Sequence, residues 1–260
     1  MKILVIGDVV SQPGLNTVNR LLRKVKKKTG ADLTIVNGEN ASGTGITPRQ
    51  ADDIFSSGAD VITLGNHALR KQNIAPYLDD NRYILRPANL APQTPGSGYG
   101  IYDAAGWRVL VMNLIGRCDM QYGPDNPFLC ADRILRQEEG RYDVAVCEIH
   151  ANATSEKLAM GYYLDGRTAA VYGTHTHVPT ADLRINPKGT GYQTDIGMTG
   201  PKWSVLGIRA EQSIAMFRGD LTHRFEPAEG PCCMDGALFT IDPSRGICTD
   251  VQRIQEEYNG

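Results

Sequence analysis

Short apolar runs, each ending on glycine or a polar residue, recur along the first two-thirds of the chain. Ile3-Leu4-Val5-Ile6 is apolar without alternation, which predicts a strand covered on both faces and ending at Gly7-Asp8. Leu15, Val18, Leu21, Leu22 and Val25 follow at helical spacing, with Arg23, Lys24, Lys26, Lys27 and Lys28 on the opposite side. Residues 33–36 predict the next strand, which ends at Asn37-Gly38-Glu39-Asn40. A glycine-bearing loop, Ser42-Gly43-Thr44-Gly45, leads to a helix start with Thr47 as N-cap, Pro48 in the first turn and Gln50 closing a capping box. Residues 60–64 predict a third strand, ending at Gly65-Asn66-His67.

Further strands are predicted at 82–85, 108–113 and 143–149, the last ending at His150. Helices are predicted at 132–139 and 154–164, and residues 87–100, rich in proline and glycine, read as an irregular connection. Ala169-Ala170-Val171-Tyr172 reads as a buried strand ended by Gly173, before Thr174-His175-Thr176-His177. Beyond it the texture becomes β-rich at 180–195 and 231–254, with a turn at Asp242-Pro243-Ser244-Arg245-Gly246. Strand, loop and helix in short alternation predict α/β layering, with residues 1–260 forming one domain whose two halves each supply a sheet.

Composition narrows the function classes. The chain has 260 residues, 41% hydrophobic and 22% charged, with a net charge of -2. No basic field points to duplex nucleic acid, and the lysine run fits the solvated face of its helix. No apolar stretch reaches membrane-span length, and no signal peptide is evident. Six cysteines without a C-x-x-C pair fit a reducing cytoplasm rather than a thiolate zinc site or a disulfide framework. Cys232-Cys233 reads as packing and His223 as structural.

Polar residues stand at five predicted strand ends: Asp8, Glu39-Asn40, Asn66-His67, His150 and His175/His177. A His-x-His pair alone also fits two polar residues on a surface turn, and a lone Asp or Asn after a strand is often a turn former. Five in succession, each metal-capable and each where open α/β sheets bind ligands, point to a site. In an extended backbone His175 and His177 would reach a common point. Mixed imidazole, carboxylate and amide donors suit iron, manganese or zinc better than magnesium or calcium, and suffice for two ions. The Ser42–Gly45 loop fits either a phosphate cradle or ordinary turn chemistry.

These residues carry a resemblance. Asp after the first strand, an acidic bridging position, Gly-Asn-His, a distant His and Gly-x-His-x-His follow the order of the calcineurin-like metallophosphoesterases. Gly-Asp-Val-Val, Gly-Glu-Asn, Ala-Thr-Ser-Glu-Lys, Gly-Thr-His-Thr-His-Val and Asp-Ile-Gly-Met-Thr-Gly-Pro resemble the bacterial YmdB-like branch, from Asp8 to at least Leu206. The resemblance implies a four-layer α/β/β/α sandwich and a dinuclear phosphodiesterase acting on 2′,3′-cyclic nucleotides, with a regulatory role in some bacteria. It implies Glu39 as the metal bridge, Asp8, Asn40 and His177 on one ion, and Asn66, His150 and His175 on the other. His67 would stay off the metals and face the substrate, protonating the departing ribose oxygen or stabilising it as a cation after attack by a metal-bridging hydroxide, where the plainer reading is a histidine capping a turn. The ions would be divalent or of mixed valence, iron or manganese, with zinc also open. Thr199 and Gly200 would lie near the site.

Two departures stand out. Val10 occupies the position where the wider superfamily has a histidine, and Asn40 is its replacement. Ala68-Leu69-Arg70 and Asn152 replace the Thr-Trp-Asp and Glu common in the branch, which bears on the pocket rather than the ligands. A nucleotide monoesterase and a metal-dependent nucleotide-binding regulator remain alternatives, and a homo-oligomer is compatible with the sequence.

Overall fold

Ile3 and Val5 face one way from the first strand, Leu4 and Ile6 face the other, and all four are buried. That is the consequence of an unbroken apolar run in a two-residue repeat. The computed structural model describes residues 1–120, 123–220 and 224–258. In chain order the first part comprises β1 (Lys2–Ile6), β2 (Asp8–Val9), α1 (Ser11–Thr29), β3 (Leu33–Asn37), α2 (Pro48–Ser56), β4 (Val61–Thr63), α3 (Ile74–Asp80) and β5 (Ile84–Leu85). The second comprises β6 (Tyr99–Ala104), β7 (Trp107–Ile115), α4 (Pro127–Gln137), β8 (Val144–His150), α5 (Thr154–Tyr163), β9 (Ala170–Thr174), β10 (Arg184–Ile185) and β11 (Gly191–Gln193). The chain closes with β12 (Met198–Pro201), α6 (Ala210–Phe217), β13 (Cys232–Asp242) and β14 (Ile247–Tyr258).

Two sheets result. One runs β2-β12-β13-β1-β3-β4-β5 with β14 paired to β13, and the other runs β10-β11-β9-β8-β7-β6. Three buried clusters define the layers. Leu15, Val18 and Leu22 of α1 pack with Ile54 of α2 on Leu4, Ile6 and Val36. Ile3, Val5 and Ile35 of the first sheet meet Val109, Val146 and Tyr172 of the second. Ile134 of α4 and Met160 of α5 cover Leu110, Cys147 and Val171. The order is helix, sheet, sheet, helix, the four-layer α/β/β/α sandwich expected from the sequence. The parallel strands β1, β3 and β4, and β8 and β9 of the other sheet, send the loops after their carboxyl ends to the five polar motifs.

The predicted capping box is present: Gln50 N–H donates to Thr47 Oγ1, and the Thr47 N–H donates to Gln50 Oε1. Other expectations need correction. The sheets do not follow the two halves of the chain, because β12, β13 and β14 return to the first sheet, with Val5 opposite Ala237. Helix α4 begins at Pro127, five residues before the predicted start. Asn126 caps it by accepting from the Phe128 and Leu129 N–H groups. β6 overlaps the end of the expected irregular connection, and it pairs with β7 across a turn in which Ala105 takes φ 49°. β12 and α6 carry too little periodicity to be foreseen. Gly173 lies inside β9 rather than ending it: it pairs with Ile149 of β8, and it is glycine where a Cβ would collide with Thr194 O. His223 lies outside the described residues. No described helix is long and apolar enough to cross a membrane.

Candidate metal centre

Glu39 from the loop after β3, His150 at the end of β8 and His175 just after β9 are brought together, and their ligand atoms all lie within 4.8 Å of one another. These residues could hold a metal ion. Glu39 and His150 are fully buried. His150 Nε2 lies 3.1 Å from Glu39 Oε1, 3.0 Å from Asn66 Oδ1 and 3.1 Å from His175 Nδ1. The other ring nitrogen fixes the tautomer. Thr174 donates its hydroxyl proton to Glu148 Oε1 at 2.8 Å, so Oγ1 accepts from His150 Nδ1, also at 2.8 Å. In the neutral ring the Nε2 lone pair then faces three further lone-pair atoms, which is a donor set for a cation. A proton answers the same need. Burial alone would lower the His150 pKa, but the Glu39 carboxylate overrides it and raises it to about 9. His175 is driven the other way, to about 4, by burial and the charge on His150.

Beside this group stand Asp8, Asn40 and His177. Asp8 is fully buried, its Oδ2 accepts from the His175 N–H at 3.3 Å, and its Oδ1 has no partner among the described residues. That orphaned oxygen lies 3.7 Å from His177 Nε2. Burial opposes the Asp8 charge, yet the His177 ring and the His150 charge hold the carboxyl below its ordinary range. Burial also opposes ionisation of Glu39, and His150 again holds its pKa down. His177 Nδ1 faces the Leu206 carbonyl at 3.4 Å, which can only accept, so the Nε2 lone pair points toward Asp8 and Asn40. An unpartnered carboxylate oxygen beside an imidazole nitrogen fits a second cation of the same kind.

The two histidines of the His-x-His pair do not share one point, as an extended strand would require. His175 takes φ 93° and His177 φ 62°, so the backbone turns at each and sends the rings to different groups. Thr176 between them is anchored. Asp195 Oδ2 accepts from its N–H at 3.1 Å and its hydroxyl at 2.6 Å, and Lys157 Nζ donates to Asp195 Oδ2 and the Thr174 carbonyl, each at 2.8 Å. Lys157 and Asp195 are both buried. The glycine before Asn66 serves the cluster by its size, since a Cβ on Gly65 would collide with Glu39 Oε2 and His150 Nε2.

Asn40 faces the cluster with its nitrogen. Nδ2 lies 3.1 Å from Glu39 Oε1 and 3.2 Å from His177 Nε2, while Oδ1 accepts from His67 Nδ1 at 2.9 Å. Turning the amide by 180° exchanges these roles, because its oxygen and nitrogen are nearly isosteric. His67 is half-buried, donates its backbone N–H to Glu39 Oε2 at 3.1 Å, and keeps its ring 3.8 Å from Glu39 Oε1. Burial lowers its pKa, against the pull of Glu39. Ser42 and Gly43 donate their N–H groups to Gly45 O and Asn40 O, so these two are used within the turn. Thr199 is buried next to Val9 and accepts the Val10 N–H at 2.9 Å, close to Asp8.

Sequence reasoning missed Glu148. It lies two residues before His150 on the same strand face, a signal available in the alternation, and it accepts from Asn37, Thr63 and Thr174. Lys157 and Asp195 were visible only as members of longer motifs.

Known proteins resemble this chain along nearly its whole length. Residues 4–254 match the family described as YmdB-like protein. A 2′,3′-cyclic-nucleotide 2′-phosphodiesterase of Bacillus subtilis (strain 168) is 45% identical over 255 residues, spanning 98% of this chain and 96% of its own. A crystal structure of a hypothetical protein from Thermus thermophilus superposes with TM-score 0.91 at 38% identity, covering 99% of each chain. A structure described as a novel phosphatase from Mycoplasma pneumoniae gives TM-score 0.93 at 31% identity, covering 100% of this chain and 94% of its own.

Proposed function

The chain belongs to the YmdB-like protein family, and we propose on that basis that it is a dinuclear metal-dependent phosphodiesterase opening 2′,3′-cyclic nucleotides. The observation that carries the reading is the convergence of Glu39, His150 and His175, with the orphaned Asp8 Oδ1 and the His177 lone pair beside them. Glu39 would be shared, Asn66, His150 and His175 would hold one ion, and Asp8, Asn40 and His177 the other. Iron or manganese suits these donors, with zinc also compatible. Two such cations supply charge against the phosphoryl oxygens and an acidified water as nucleophile.

The chain's own residues do the rest. Thr174 and Leu206 fix the His150 and His177 rings with their lone pairs turned inward. Asn40 links the cluster to His67. With its oxygen toward Glu39 and His177 it becomes a ligand, and its Nδ2 then donates to His67 Nδ1. The neutral His67 ring in that state carries its proton on Nε2, the atom from which a departing ribose oxygen could take it. His67 is thus the general acid in this reading.

Residues 1–260 act as one domain in this proposal, because the site draws ligands from both sheets. All six cysteines stand unpaired, which suits a cytoplasmic location. The test is turnover by the manganese-loaded protein of 2′,3′-cyclic AMP, AMP and a nitrophenyl phosphodiester. Ring opening faster than phosphate release from AMP is the expected result. Faster release from AMP would make it a monoesterase, and binding without product would make it a regulator.

A further inference from the structure

A cavity of about 230 Å³ adjoins the polar cluster and shares Asn66 with it. Ala68, Leu69, Leu90 and Ala91 supply aliphatic walls, and Thr94 adds a hydroxyl. The cluster is rich in carboxylate, amide and imidazole, while the cavity beside it is mostly hydrocarbon. A nucleotide has the same division, a charged phosphate at one end and a flat, weakly polar ring at the other. Pockets that enclose a whole drug-sized ligand measure roughly 300–1,000 Å³, so this one matches a single ring system.

The walls are held in place without a ligand. Asn113 Nδ2 donates to the Leu64 and Leu85 carbonyls at 2.6 and 2.9 Å, beneath the Gly65-Asn66 turn. Asn89 Nδ2 donates to Ile115 O and Asp125 O at 2.7 and 2.8 Å, and its Oδ1 accepts from the Ile115 N–H at 2.9 Å. Arg86 Nη1 donates to Pro87 O at 2.8 Å, and the Thr94 N–H to Ala91 O at 2.9 Å. The segment bearing Leu90, Ala91 and Thr94 is therefore fixed at both ends, and a ligand need not order it. Leu69 is 43% exposed although its side chain is purely apolar.

We infer that this cavity seats the nucleobase of the substrate, between Leu69 on one loop and the Leu90-Ala91 segment on the other. The inference rests on the phosphodiesterase reading and adds to it the subsite that distinguishes a nucleotide from a bare phosphodiester. Contact is through hydrocarbon, with Thr94 and Asn66 as the polar side chains, so the identity of the base matters less than its presence. Adenosine and uridine 2′,3′-cyclic phosphates should differ in kcat/KM by no more than about tenfold, as hydrophobic pockets discriminate weakly.

The experiment compares adenosine 2′,3′-cyclic phosphate with the 2′,3′-cyclic phosphate of 1-O-methylribose, which lacks a base. Wild-type protein, Leu69→Asp and Ala91→Asp are used, each loaded with manganese. Both positions are exposed, so the substitutions leave the core intact. Wild type should show a KM about tenfold higher for the baseless substrate at similar kcat, the pattern of binding energy common to ground and transition states. Each variant should raise the KM for the adenosine substrate until that ratio approaches one. Equal KM values in wild type, or a ratio unchanged in both variants, would overturn the nucleobase site while leaving the phosphodiesterase standing. Absence of turnover on both substrates at full metal occupancy would overturn the phosphodiesterase itself, and the subsite with it.

Discussion

At the scale of single residues, His67 and His150 lie within one cluster but have opposite electrostatic fates. Burial lowers the His67 pKa, so its neutral ring is the dominant species near neutrality and its useful proton depends on which nitrogen Asn40 engages. A ribose hydroxyl is a poor leaving group and benefits from a delivered proton, whereas nitrophenolate leaves unaided. His67→Ala should slow opening of a 2′,3′-cyclic nucleotide by about 10²–10⁴-fold and a nitrophenyl phosphodiester much less. Steady-state kinetics on both substrates at measured metal content check this, and equal losses would remove the acid role. His150, by contrast, resists the downward pull of burial, and the Glu39 carboxylate raises its folded pKa from 6.5 to about 9. The sign follows from linkage: its contribution to stability is complete below its unfolded pKa of about 6.5 and is lost as pH rises through about 9. Metal-stripped protein should therefore lose stability across that window. Saturating manganese takes the proton's place and should flatten the fall. Urea unfolding at pH 6, 7.5 and 9, with and without manganese, measures both slopes; parallel slopes would contradict the exchange.

At the scale of elements, the loop after β9 does more than end a strand. Its two histidines adopt positive φ, a conformation that costs a non-glycine residue about 1–3 kcal/mol unless neighbours impose it. Lys157 from α5 and Asp195 from the segment before β12 impose it through Thr176. Lys157→Met leaves Asp195 buried without its cation and should cost about 3–5 kcal/mol. Pairing it with Asp195→Leu removes both charges and should recover much of that loss. The double variant should still bind manganese more weakly, because Thr176 has lost the acceptor for its N–H and hydroxyl. Denaturant titration and calorimetric metal binding separate the two effects. Wild-type metal affinity in the double variant would show that the ion pair serves stability alone.

At the scale of the whole molecule, the site exists because two sheets are held at a fixed offset. Polar ties cross the apolar interface next to the cluster. Glu148 of β8 accepts from Asn37 of β3 and Thr63 of β4, and Asn113 of β7 donates to the Leu64 and Leu85 carbonyls. Asn113→Ala takes the side-chain donor from the buried Leu64 carbonyl and leaves a cavity, while the Leu85 carbonyl keeps the Leu64 N–H at 2.9 Å. It should cost about 2–4 kcal/mol. A lower urea midpoint at unchanged m-value is the expected reading.

Several features were legible in the sequence because they are local. An unbroken apolar run such as Ile3-Leu4-Val5-Ile6 can satisfy itself only in a strand covered on both faces, and Thr47-Pro48-Arg49-Gln50 carries its own capping chemistry. The residue types after each strand pointed to the polar side chains that the structure gathers into one cluster. Other features depend on partners far away in the chain. The His175 N–H meets Asp8 across 167 residues, and Asn37 meets Glu148 across 111. Helix and strand periodicity reports which face is buried but not against what, so it could not show that His175 and His177 part company or that β13 returns to pair with β1. Nor could it show that the segment around Leu90 closes a pocket against Leu69. Those relations are fixed by the packing of one sheet on the other, where each contact is selected by the shape of a surface assembled from distant segments.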